Sequence, residues 1–176
     1  KASELYSLLD FFKKKQLKNI IEIGTAKGGV FYALCQLAVK DAQIVSIDLP
    51  RGKFGGGYSR QDIERFKSYA KNGQNLNFYR LDSHKQSTKD KLNGIKADLL
   101  FIDGDHTYKG VKRDFEMYSP LVKKGGYIVF HDICHHPFIP ECKVDEFWEE
   151  IKKGKKAIEF IDEKDKTWGG IGIVRK

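Results

Sequence analysis

Cysteine is scarce in this chain. Cys35, Cys134 and Cys142 are the three it has, and their spacing matches no metal-binding signature. An odd, widely spaced set excludes a disulfide framework and points to reduced thiols, hence to an expected cytoplasmic setting. Proline is equally sparse, at four residues, and no low-complexity linker or internal repeat divides the chain. No apolar run approaches the roughly 20 residues of a membrane-spanning helix, and no signal-peptide pattern opens the sequence. The first residue is Lys1 rather than Met, as expected of an excerpt from a longer protein. A block of one charge sign is also missing. The chain carries a net charge of +8, but much of the surplus sits in short lysine clusters at 13–15, 123–124 and 152–156, as on solvated faces. No basic run alternates with aromatics in the RNA-binding manner, so nucleic acid is a partner the sequence allows without favouring.

What is present fits one α/β domain of 176 residues, with an N-terminal helix over 1–16 and a core over 17–176. Leu5, Leu8, Leu9 and Phe12 form a helical stripe, Ser3 is its expected N-cap, and core packing is its expected role. Asn19–Gly24 (NIIEIG) is a short buried strand that runs into Thr25-Ala26-Lys27-Gly28-Gly29 and then a helix from about Val30 to Lys40. A strand, glycine turn and helix bring backbone N–H groups and a positive helix end to a ligand. The spacing is G-x-x-x-G, not the G-x-G-x-x-G of dinucleotide folds, which disfavours a nicotinamide dehydrogenase. Glu22 is a carboxylate inside a strand and needs a donor, for which a ligand ammonium is one candidate.

Gln43–Asp48 (QIVSID) is a second strand ending in an acid. Asp48 follows Gly24 at roughly the 20-residue separation at which a carboxylate accepts ribose hydroxyls. The glycine-rich Leu49–Tyr58 reads as a mobile loop or lid, with Arg51 and Lys53 available to an anion. A helix over 60–71 and a strand over 76–81 lead to Asp82-Ser83-His84, where an acid and a hydroxyl are able to read an adenine edge. A helix to about Lys123, a turn at Lys124–Gly126 and a terminal hairpin turning near Lys164–Lys166 are expected further on.

The most informative stretch is LLFIDGDHTY, Leu99–Tyr108. A buried parallel strand that ends in Asp103, Asp105 and His106 places them where open α/β sheets bind ligands. A neighbouring strand, Tyr127–His131, ends in His131-Asp132. His135 and His136 follow in a proline-interrupted loop, and two adjacent histidines cannot both face one site from a regular strand.

Laid out in this order, IIEIGTAKGG, IVSID, LDS, FIDGDHTY, KKGGYIVFHDI and GGIGIV resemble the class I S-adenosylmethionine-dependent methyltransferases. The likeness is to the branch of metal-dependent sugar and macrolide O-methyltransferases and cephalosporin-hydroxylase-like proteins, and it covers about residues 17–176. It implies a Rossmann-like three-layer sandwich with a seven-stranded, mostly parallel sheet, order 3-2-1-4-5-7-6, strand 7 antiparallel. It implies that Glu22, Gly24, Thr25 and Gly28 line the methionine part of S-adenosylmethionine, Asp48 the ribose, and Asp82 with Ser83 the adenine, Asp103 lying beside the cofactor. It further implies Asp103, His131 and Asp132 as ligands of Mg2+, or of Mn2+. His131 stands where that branch often has an acid, and imidazole suits Mn, Fe or Zn better than Mg. Asp105 and His106 compete as the base, His106 slightly favoured for its ordinary pKa near 6.5. The expected acceptor is a small-molecule hydroxyl, and a homo-oligomer is compatible with the sequence. The alternatives are a nucleic-acid methyltransferase, disfavoured because DGDH replaces an N-P-P-Y-like turn, and a non-catalytic cofactor-binding module.

Overall fold

Strand β4, Ala97–Ile102, is buried along its whole length, and its neighbours explain why. The computed structural model describes residues 1–176 and places β4 in the middle of a seven-stranded sheet of order β3-β2-β1-β4-β5-β7-β6. The other strands are β1 (Asn19–Ile23), β2 (Gln43–Ile47), β3 (Asn75–Tyr79), β5 (Val122–His131), β6 (Ala157–Phe160) and β7 (Ile171–Arg175). The first five run parallel, and β7 pairs antiparallel with both β5 and β6. This is the order and polarity the sequence resemblance implied.

Successive β4 side chains point to opposite faces, so a continuous apolar run is what a strand covered on both sides requires. Leu99 and Phe101 join Leu8, Phe12, Phe31 and Phe66 in one core. That core lies beneath α1 (Ala2–Phe12), α2 (Gly29–Leu37) and α3 (Arg60–Lys67). Leu100 and Ile102 join Val111, Tyr118, Phe147 and Trp148 in the other. It lies beneath α5 (Tyr108–Tyr118) and α6 (Val144–Ile151), with the short α4 (Gln86–Lys89) completing that layer.

Several boundaries differ from the sequence expectations. Helix α1 stops at Phe12 and begins before Ser3, whose hydroxyl reaches Asp162 instead of capping. The expected core role of α1 holds, since Leu8 and Phe12 are buried. Helix α3 ends at Lys67, and Gln74 fastens the following turn by accepting from the Lys71 amide and donating to the carbonyls that end α2. Helix α5 ends at Tyr118, short of Lys123, because Pro120 cannot continue its hydrogen bonding. The expected turn at Lys124–Gly126 is instead part of β5, which bulges against β4 between Ala97 and Leu99. Gly125 takes φ +80° there, and a Cβ on Gly126 would stand 2.7 Å from the Val122 side chain. The hairpin β6–β7 exists, but its connection is the long segment 161–170 rather than a tight turn.

Candidate active site

All five parallel strands deliver their C-terminal residues to one edge of the sheet, and a cavity of about 550 Å³ opens there. Gly24 follows β1, Asp48 β2, Asp82 to His84 β3, Asp103 to His106 β4, and His131-Asp132 close β5; all of these line it. The edge thus carries a row of groups running from the β3 side toward Trp168, which precedes β7 and stands at the opposite end of the cavity.

Gly24 has φ +84°, and a Cβ there would sit 1.9 Å from the Asp103 carbonyl oxygen. Only glycine lets β1 and β4 turn away so close together. Gly28 also has φ +81°, but its would-be Cβ meets the Phe66 ring at 2.3 Å. The packing of α3 on this position by itself excludes a side chain. Asp48 accepts from the backbone amides of Thr25 at 2.9 Å and Ala26 at 2.6 Å through one oxygen. Burial pushes its carboxyl up against the pull of those amides.

Glu22, Thr25 and Gly28 do not line the cavity. Glu22 is fully buried, with the Thr25 hydroxyl donating to it; that hydroxyl stands 2.7 Å from Ser46, which donates to Tyr58. Burial raises the Glu22 carboxyl well above its ordinary range, and the nearby charges of Asp103 and Asp48 add to this. Thr25 thus supplies a donor to one oxygen of Glu22 from inside the protein, while the other, Oε1, is buried without a partner.

Asp82 and Ser83 line the β3 side. Asp82 accepts from the His84 amide at 2.8 Å, and Tyr118 of α5 donates to the Ser83 carbonyl at 2.8 Å. His84 places Nε2 3.3 Å from Asp114, a buried carboxylate on α5 that sequence reading did not single out.

The densest chemistry lies between β4 and β5. His106 sets Nε2 3.2 Å from Asp103 and Nδ1 3.0 Å from Asp132. His131 sets Nδ1 3.2 Å from the same Asp103 oxygen and 3.3 Å from Asp132. Burial opposes charge on both rings, but the two carboxylates outweigh it, carrying His106 to about 12 and His131 to about 10. Against the same opposing burial, the imidazoles hold Asp103 and Asp132 below the usual carboxylate range. Asp132 adopts φ +59°, a left-handed backbone that non-glycine residues take at a cost.

Asp103, His131 and Asp132 converge within 4.8 Å of one another. Asp103 Oδ1 and His131 Nδ1 are buried without a well-formed hydrogen bond despite their proximity. Buried donors left unsatisfied toward a common point fit a divalent cation of mixed O,N preference.

Asp105 lines the cavity too, with one oxygen accepting from the Thr107 amide at 2.9 Å. Thr107 in turn caps α5 by accepting from the Gly110 amide at 3.0 Å. A Cβ on Gly110 would lie 2.1 Å from the Asp105 carboxyl carbon, so glycine makes room for that carboxylate.

The glycine-rich loop after β2 crosses above this centre. Phe54 stacks on His106 with centroids 4.8 Å apart and planes within 9°, and Lys53 pairs with Glu141 at 3.1 Å. Arg51 does not reach the cavity. Of the two adjacent histidines, His135 faces Asp145 at 3.2 Å while His136 lines the cavity near Trp168. Composition marked the loop as flexible, but no local signal showed that Phe54, His136 or Trp168 would meet there.

A parallel sheet closed by an antiparallel β7, with this row of acids at its carboxyl edge, defines a class I methyltransferase fold. The chain belongs to the methyltransferase domain family, whose model matches residues 21–133. Protein R132 of Acanthamoeba polyphaga mimivirus is 35% identical over 155 residues, covering 86% of this chain and 68% of that one. Protein y4gI of Sinorhizobium fredii (strain NBRC 101917 / NGR234) is 29% identical over 150 residues, 81% of this chain but 16% of that protein. The fold is similar to that of an O-methyltransferase from Bacillus cereus solved in complex with SAH, with TM-score 0.69 and 19% identity, covering 100% of this chain and 82% of that one. No helix is long and apolar enough to cross a membrane.

Proposed function

We propose that this domain transfers the methyl group of S-adenosylmethionine to a hydroxyl of a small molecule, with a divalent cation assisting. The observation that carries this reading is the meeting of Asp103 and Asp132, from adjacent strands, in the same cavity as Gly24 and Asp48. Methyl transfer needs the acceptor oxygen in line with the leaving sulfur in a water-poor site. Gly24 leaves the floor of the cavity open, Asp48 receives the ribose hydroxyls, and Asp82 with Ser83 receives the adenine. The acceptor then occupies the end near His131 and His136, beneath a rim to which Leu49, Ile139 and Trp168 give apolar faces.

A cation at Asp103, His131 and Asp132, magnesium or manganese, would supply Lewis acidity to the acceptor hydroxyl. The proton goes to Asp105 or His106. Both nitrogens of His106 face carboxylates, whereas Asp105 lines the cavity with one oxygen held by the Thr107 amide, and the two remain alternative bases.

Calorimetry with S-adenosylhomocysteine and with NAD tests the cofactor: binding of the first alone is expected, and its absence would sink the reading. Methyl transfer that persists undiminished in EDTA rejects the metal. The positive net charge allows one second reading, an RNA substrate. An RNA gel shift that survives moderate salt would support it in place of the small molecule.

A further inference from the structure

Beside the oxygen-rich triad lies a second donor set of different chemistry. His106, Asp132 and Cys142 bring a ring nitrogen, a carboxylate oxygen and a thiol sulfur within 4.8 Å of one another. His106 Nδ1 and Asp132 Oδ2 are already 3.0 Å apart. Donors around a tetrahedral zinc ion stand about 3.3–3.8 Å apart, given bond lengths of about 2.0–2.3 Å, so small shifts suffice. Cys142 and Asp132 are buried. The cysteine segment is fastened to the histidine by the Lys143 amide, which donates to the His106 carbonyl at 2.8 Å, and Phe54 covers one face of the ring.

We infer that Cys142, His106 and Asp132 form a binding site for a thiophilic divalent ion of the zinc class, distinct from the Asp103–His131–Asp132 set and sharing Asp132 with it. Sulfur with imidazole selects zinc, cobalt or iron over magnesium, and three protein ligands leave a fourth position for water or an acceptor atom. Asp132 presents Oδ2 to His106 and Oδ1 to His131, so one carboxylate serves both sets. The inference concerns ion binding alone and does not depend on the methyl-transfer reading.

Chelator-stripped protein titrated with Co2+ tests it, because a thiolate ligand gives a near-ultraviolet charge-transfer band that oxygen and nitrogen ligands do not. The band is expected in the unaltered protein. It should disappear in Cys142→Ser and in His106→Gln, and persist in Cys134→Ser. Zn2+ at equal concentration should displace the cobalt, while roughly hundredfold Mg2+ should leave the band in place. No band, a band that survives Cys142→Ser, or one that Mg2+ removes would each overturn the inference. Should Cys142→Ser fail to fold, the His106→Gln and Cys134→Ser pair still decides.

Discussion

Glu22 shows how a single buried acid is accommodated and what it costs. Its folded carboxyl titrates well above the ordinary 4.5 because burial disfavours charge. The folded state therefore keeps a proton that the unfolded chain releases. Stability from this residue is complete below about 4.5 and falls as pH rises toward the folded value. Glu22→Gln removes that slope. In urea melts from about pH 5 to about pH 8, the Gln variant should gain on the unaltered protein as pH rises; parallel curves would show that Glu22 is charged in the fold. The residue was conspicuous in the sequence as an acid inside a strand. Its partner was not, because Thr25 meets it only once the loop folds back over β1. Gly28 repeats the point: its left-handed backbone is compatible with a ligand loop, but the clash that excludes a side chain comes from Phe66, on a helix far along the chain.

Among elements, Asp98 on β4 performs a fastening task. One of its oxygens accepts from the Lys18 amide at 2.8 Å and the Asn19 amide at 2.7 Å, while the other pairs with Lys123 on β5. It thereby ties the entry of β1 and the bulged start of β5 to the central strand. Asp98→Ala leaves two amides seeking acceptors and should lower unfolding free energy by about 2 kcal/mol, measured by urea titration. Burial opposes ionisation of Asp98, but Lys123 and the two amides prevail and hold its carboxyl low. Its contribution is present at neutral pH and is lost as pH falls through that lowered value. An unchanged midpoint at neutral pH would contradict the assignment. The strands themselves were legible, because apolar runs covered on both faces have few other destinations. The β5 bulge was not, since Gly125-Gly126 satisfies a turn equally well and only pairing with β4 decides between them. The end of α5 at Tyr118 depended in the same way on Pro120.

At the scale of the molecule, strand order came from a resemblance across six short motifs rather than from any local rule. The sheet bears it out, including the antiparallel β7. The acids at strand ends were readable because they follow apolar runs directly. What the sequence concealed was everything the long connections bring in, since residues such as Phe54, His136, Cys142 and Trp168 become neighbours of the site only through tertiary folding. The same connections line the end of the cavity near Trp168, and under the proposed function selectivity between substrates is decided there.

The two tryptophans give the molecule an optical property. Trp148 is buried and donates to Glu159 at 2.6 Å, whereas Trp168 stands 37% exposed at the rim of the cavity. Their emission should separate into a constant component from the interior and a solvent-sensitive component from the rim. Filling the cavity beside Trp168 should shift only the second toward shorter wavelength, and Trp168→Phe should abolish the shift. Occupancy of the site is then readable by unlabelled fluorescence, before any acceptor has been identified.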